Sequence, residues 1–213
     1  MVDCILRYGI LTVVSIEPPK RIRRTSEAAR EAAVEAAREL LLSSGPGGVT
    51  LKAVAARIGT GHANLLHHFG SAAGLQAALM DRMIRDTVER VERAVERMRS
   101  GEASPREIVD VVFDAHGRDG IGKLTAWLAS TGEAARLRPL FDVLGGLIRT
   151  IEAGAILPRD EAHRRIVDMT LLLVLAGLGD SLIGPMLHET LGEGAGRARE
   201  IVEESMLSQI VTA

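Results

Sequence analysis

From residue 26 onward, apolar residues recur at helical spacing with few interruptions. The first run, "TSEAAREAAVEAARELLLSSGPGG", has Thr25 or Ser26 to cap its start, and Ala33, Ala37, Leu40 and Leu41 on one stripe. The sequence Gly45-Pro46-Gly47-Gly48 stops it. The next run, "VTLKAVAARIG", places Leu51, Val54, Ala55 and Ile58 inward behind Thr50 as a second cap. Only Thr60-Gly61 separates Gly59 from a third run, "HANLLHHF". Two short helices joined this tightly must cross steeply, because no residues remain to run them back antiparallel, and a helix-turn-helix results. Ala55 is small where such a pair touches, Gly59 suits a left-handed turn, and Leu65 plugs the pair from the second helix.

Beyond a polar break, Met80, Ile84, Val88, Val91, Val95 and Met98 mark one face of a long helix. Its wet face offers the acid-before-base pairs Asp81–Arg85, Asp86–Arg90 and Glu89–Arg93. Shorter helical segments follow at about 104–116, 119–130 and 135–155, punctuated by Pro105, Gly117, Gly132 and Pro158. A second long helix, about 159–188, contains the uncharged run 169–179. A last one, about 195–211, carries Ile201, Val202, Met206, Leu207, Ile210 and Val211. Strand-like alternation is confined to residues 1–24, so the fold class is all-α. Three parts are expected: a tail with a basic arm over 1–24, a three-helix unit over 25–75, and a helical unit over 76–213.

Composition agrees with helices: aromatic residues make up 2% of the chain, while Ala, Leu, Val, Glu and Arg dominate. Cys4 is the single cysteine, so neither an internal disulfide nor a cysteine zinc cluster can form. With no convincing signal sequence in the apolar stretch at 8–16, a reducing cytoplasm is expected. The uncharged 169–179 run is shorter than the ~20 residues a bilayer needs and reads as a buried helix. Net charge is −2, but residues 1–75 hold nine Lys/Arg against six Asp/Glu, whereas 76–213 hold seventeen against twenty-two. The N-terminal part therefore suits an anionic partner, and Lys20, Arg21, Arg23 and Arg24 lie just ahead of it.

The stretch "GTGHANLLHHF" concentrates His62, Asn64, His67 and His68. As a metal site it fails on spacing. Leu65 and Leu66 stand where the helical partners of His62 would be, and His67 and His68 project about 100° apart. No phosphate loop, nucleophile elbow or paired carboxylates accompany it, and the serines sit at predicted helix ends. Nothing asks for an enzyme, a metal or a cofactor. As a surface, the stretch makes sense: Leu65 and Phe69 face the core, leaving His62, Ala63, Asn64 and His67 outward. The second helix of such a pair can enter the major groove, where Asn bonds the adenine edge and His reaches guanine or phosphate. Gly61 and Ala63 permit close backbone approach.

These residues resemble the TetR family of bacterial transcriptional regulators. Thr50, Val54-Ala55, Gly59, His68-Phe69, Ser71 and Leu75 stand in the family's order without gaps, over residues 26–80. Over 81–213 only the number and order of helices are similar. Two positions depart from the pattern: Leu66 replaces a usual Tyr and Ala73 a usual Lys, both of which normally contact phosphates. Their loss shifts more of the expected phosphate grip to His67, His68, Thr50, Lys52 and the basic arm with Lys20, Arg21, Arg23 and Arg24, beside the expected groove contacts Gly61, His62, Ala63 and Asn64.

The resemblance further implies a homodimer formed through the last two long helices, and a palindromic operator on double-stranded DNA. It implies a pocket within 76–158 for a small effector, whose binding shifts DNA affinity through linkage, most commonly to relieve repression. Phe113, His116, Trp127, Phe141 and Met169 are the candidate lining, and their character suggests an apolar effector of modest size. A helical small-molecule-binding protein of the same fold, with weak or lost DNA binding, is the alternative that Leu66 and Ala73 leave open.

Overall fold

In a computed structural model the described chain, residues 26–211, forms nine α-helices and no strand. Arg21, Arg23, Arg24 and the cap candidate Thr25 lie outside the described residues. Helix α1 spans Ser26–Ser44, α2 Leu51–Ile58, α3 His62–Phe69 and α4 Ala72–Arg99. Helices α5 (Pro105–His116), α6 (Ile121–Ser130), α7 (Arg138–Ala153), α8 (Arg159–Leu191) and α9 (Arg197–Val211) complete the chain.

The local signals act where they were read. Thr50 Oγ1 accepts from the Ala53 N–H at 3.1 Å, capping α2, and Ser71 Oγ accepts from the Gly74 N–H at 3.0 Å, capping α4. Gly59 closes α2 at φ 66°, the left-handed region that a side chain resists, which turns the chain straight into α3. Leu65 is fully buried between these helices, with Ala33, Ala37, Leu41, Val54 and Leu75 around it. The same core continues past residue 75 through Leu79, Met80, Met83 and Ile84 of α4 to Ile121, Leu124 and Leu128 of α6. The first turns of α4 are thus common property of the N-terminal helices and of those that follow.

A second core joins α4, α5, α8 and α9 around Phe113, Val109, Val91 and Val95. Arg199 of α9 lies over the Phe113 ring at 5.3 Å and donates to Asp110 and Asp114 of α5, at 2.8 Å each. Burial alone would raise the Asp110 carboxyl, but hydrogen bonds from Arg199 and Arg106 outweigh it and hold it below its usual range.

Two expectations change. Arg90 does not pair with Asp86: Asp86 is held by Arg82 at 2.9 Å, and Arg90 donates to Asp119 at 2.7 Å. Nor is the uncharged run of α8 simply buried. Leu173 and Gly177 are buried, while Leu171 and Leu175 are 54% and 64% exposed. By length and composition α8 could cross a membrane, with only 11% of its most apolar stretch buried. It also runs through Pro185, whose missing N–H removes one helical hydrogen bond.

Candidate nucleic-acid interface and interior cavity

The polar residues of α3 stand together on the outside. Gly61, His62, Ala63, Asn64 and His67 are exposed and His68 is half-buried, next to exposed Thr50 and Lys52 of the preceding element. The His67 and His68 rings lie 5.7 Å apart at 58°, so they fan rather than converge. Phe69 closes the inner side, its ring 6.4 Å from His68 and covered by Arg30 of α1 at 5.4 Å.

Asn64 Nδ2 donates to Thr60 Oγ1 at 3.1 Å. This engages one of the two amide hydrogens of an exposed side chain, and the other and Oδ1 remain for a further partner. A carboxamide held this way keeps the donor–acceptor pair that matches the N6/N7 edge of adenine, with its rotamer already fixed. Gly61 precedes α3 without a side chain to cap it, so the first turn is closed only by the backbone, the Asn64 N–H donating to the Gly61 carbonyl at 3.0 Å. Leu66 presents 45% of its surface here, an apolar group where the sequence pattern usually supplies a phenol.

Ala73 is exposed at the start of α4, and its carbonyl accepts from Arg136 Nη2 at 2.7 Å. The same nitrogen reaches Gln76 Oε1 at 3.2 Å, and Gln76, which is buried, donates to the Val49 carbonyl at 3.3 Å. Arg136 belongs to the short 3-10 turn Ala134–Leu137 that precedes α7. A single chain of hydrogen bonds therefore runs from the later helices to the loop just ahead of α2. Sequence spacing gives no sign of it, since its members lie 27 and 60 residues apart.

Behind this surface a cavity of about 530 Å³ opens between α4, α5, α7 and α8. That volume is within the roughly 300–1,000 Å³ usual for small-molecule sites. Val88, Val91 and Val95 of α4, Leu144 and Leu147 of α7, and Ile166 and Leu173 of α8 form much of its wall. Of the residues expected there, His116, Phe141 and Met169 line it. Phe113 is buried under Arg199, 2% exposed, and Trp127 packs against the N-terminal core; neither reaches the cavity wall.

The polar groups in this wall are mostly engaged. Thr87 and Thr170 donate to the carbonyls of their own helices, Met83 at 2.8 Å and Ile166 at 2.7 Å. His116 is held below the usual histidine range chiefly by burial, partly offset by its Nδ1–H donating to the Val112 carbonyl at 2.8 Å. That bond fixes the neutral tautomer and leaves Nε2 as an acceptor.

Residues 33–79 match the family model of bacterial regulatory proteins, tetR family. No curated protein matches the chain. Solved structures share the fold. A transcriptional regulator from Saccharomonospora viridis, solved in complex with choline, superposes with a TM-score of 0.56 at 20% identity, covering 84% of this chain and 95% of its own. The multidrug binding protein EbrR, complexed with imidazole, gives 0.52 at 20% identity, over 82% and 93%. A TetR transcriptional regulator from Legionella pneumophila gives 0.54 at 16% identity, over 87% and 99%. Residues 33–79 thus carry the helix-turn-helix of the bacterial regulatory proteins, tetR family, and the chain as a whole shares the fold of these solved structures.

Proposed function

We propose that this regulator binds a palindromic operator as a homodimer and releases it when a small apolar effector fills the cavity, which makes it a repressor. The observation that carries the reading is the sharing of α4. Its N-terminal turns pack on α1 and α3, and its later turns form the wall of the 530 Å³ cavity. A ligand that repositions α4 changes the presentation of His62, Asn64 and His67, and linkage then requires DNA and ligand to affect each other's affinity equally. Two proteins of the same fold hold choline and imidazole, which supports taking the cavity as a ligand site.

Dimerisation is supported by the faces that α8 and α9 leave open. Leu171, Leu175, Leu182 and Met186 follow one another at spacings of four, seven and four, all between 45% and 73% exposed. Ile201 and Leu207 of α9 are also exposed, at 51% and 42%. Apolar surface of this extent marks an interface, and pairing the two helices with a partner's gives a four-helix bundle. That packing also accounts for the membrane-like composition of α8 in a protein that works on DNA in the cytoplasm. The proposed DNA contacts are Thr50, Lys52, Gly61, His62, Ala63, Asn64, His67 and His68, with the basic arm.

Selection of bound duplexes from a random library, at two salt concentrations, tests the reading. Recovery of a palindrome bound more weakly at the higher salt is the expected result. Recovery of no specific sequence, with and without cavity ligands, would leave the alternative of a binding protein without an operator, which exposed Leu66 and Ala73 favour.

A further inference from the structure

The cavity also carries information about which ligands it accepts. It is long: lining residues on α4 run from Ile84 to Arg99, a rise of roughly 22 Å. Its deep end is at His116 and Ile121, and its outer end is at the α7–α8 connection, where Ile156 is fully exposed. Among the described residues no carboxylate lines it, and its aromatic rings are Phe141 and the His116 imidazole. A cationic ligand is recognised by aromatic faces or by carboxylates, and this wall offers almost none of either.

Two cations do stand in the wall, Arg99 and Arg165, and their partners differ. Arg165 is occupied: it pairs with Glu161 at 2.7 Å and donates to the Gln209 carbonyl. Arg99 is instead held, among the described residues, by a backbone carbonyl and not by a carboxylate. Its Nη2 donates to the Ile151 carbonyl at 2.7 Å, in the last turn of α7. That carbonyl end carries partial negative charge, and it anchors the guanidinium at the mouth. Gly154, the next residue beyond α7, leaves the room the guanidinium occupies; a Cβ there would collide with it. Among the described residues the remaining donors of this exposed five-donor fork have no protein partner.

From this arrangement, which rests on reading the cavity as the ligand site, we infer that the ligand is an elongated aliphatic acid. Its carboxylate is held at the mouth by Arg99, and its hydrocarbon body lies along α4 toward His116. A planar fork beside an otherwise aliphatic channel selects for one terminal anion and against charge anywhere deeper. The inward end favours hydrocarbon because Thr87 and Thr170 are already satisfied by their own helices. The acceptor Nε2 of His116 is the single polar feature left there.

Calorimetric titration of the full chain with dodecanoate, dodecan-1-ol and dodecyltrimethylammonium tests this directly. The expected order places dodecanoate about ten-fold tighter than the alcohol, with the ammonium weakest. Arg99→Gln should bring acid and alcohol to parity without weakening the alcohol, and Arg99→Lys should restore most of the preference, which separates head-group recognition from misfolding. Equal binding of acid and alcohol by the native chain, or a preference that survives Arg99→Gln, overturns the assignment while leaving the cavity a ligand site. Failure of all three probes to bind overturns both. Dodecanoate that binds through Arg99 yet leaves operator affinity unchanged would keep this assignment and remove the effector role.

Discussion

Arg38 of α1 donates to Asp119, 81 residues further along the chain, at 3.3 Å, and Arg90 of α4 reaches the other oxygen of the same carboxylate at 2.7 Å. One largely buried side chain, 14% exposed, thus ties the helix-turn-helix unit to the turn between α5 and α6. Thr87 belongs both to the wall of the large cavity and to the small cleft around this ion cluster. Asp119→Asn keeps the shape and removes the charge. Because both arginines keep some exposure, the expected loss of stability is about 1–2 kcal/mol. A larger effect is expected on communication: ligand should still bind but alter operator affinity less. Denaturant midpoints and operator titrations with and without ligand measure the two separately, and a variant unchanged in both would remove the cluster from the mechanism.

Adjacent leucines on α3 should behave oppositely. Leu65 is fully buried, so Leu65→Ala leaves a cavity between α1, α2 and α4 and should cost about 2–5 kcal/mol. Leu66 is 45% exposed, so Leu66→Tyr should leave the unfolding midpoint in place. By restoring a phenol at the proposed DNA-facing surface, it should tighten operator binding. No gain in affinity would mean that position 66 does not approach the duplex.

The stripe on α8 gives a prediction about assembly. Leu175→Glu combined with Met186→Glu places two charges on residues 64% and 73% exposed in the single chain. Helical content should change little, while sedimentation should shift from dimer toward monomer and operator affinity should collapse with it. A double variant that still sediments as a dimer would move the interface elsewhere.

His116 sets a pH dependence. Its folded pKa is depressed, chiefly by burial, relative to the ordinary value of 6.5. The unfolded chain therefore binds the proton first as pH falls. The stability that the neutral imidazole contributes is fully present above about 6.5 and is lost progressively as pH drops through the folded value. His116→Gln should flatten this part of the stability–pH curve relative to the native chain, measured by urea unfolding between pH 7 and pH 5. Superimposable slopes would show that His116 does not titrate on unfolding.

What the sequence disclosed was decided locally. Thr50 and Ser71 caps, the left-handed Gly59, and the spacing of Leu51, Val54, Leu65 and Leu75 all act within a few residues, and together they specify the helix-turn-helix. Arg90 shows where such reading stops. An acid four residues earlier was available, yet Asp119, 29 residues away, lies nearer once α5 packs against α4. The aromatic residues show a second limit. Being large and apolar predicts burial but not direction, and Phe113 and Trp127 turn toward other cores. The actual wall is the aliphatic stripe Val88, Val91 and Val95, indistinguishable by periodicity from a fully packed helix face. The α8 run failed as a simple core helix for a related reason: one side packs within the chain, and the other is exposed.

Helix α4 is unbroken over 28 residues from Ala72 to Arg99, a rod of about 42 Å. If it pivots near its outer end, a tilt of about 5° carries the opposite end through roughly 4 Å, by the geometry of a rigid rod. Against a major groove about 12 Å wide, that displacement is enough to take an edge of α3 out of register with the bases. Mechanical advantage would then do what a large rearrangement does elsewhere: a ligand need only wedge a few side chains apart at one end for a reading head to miss its track at the other.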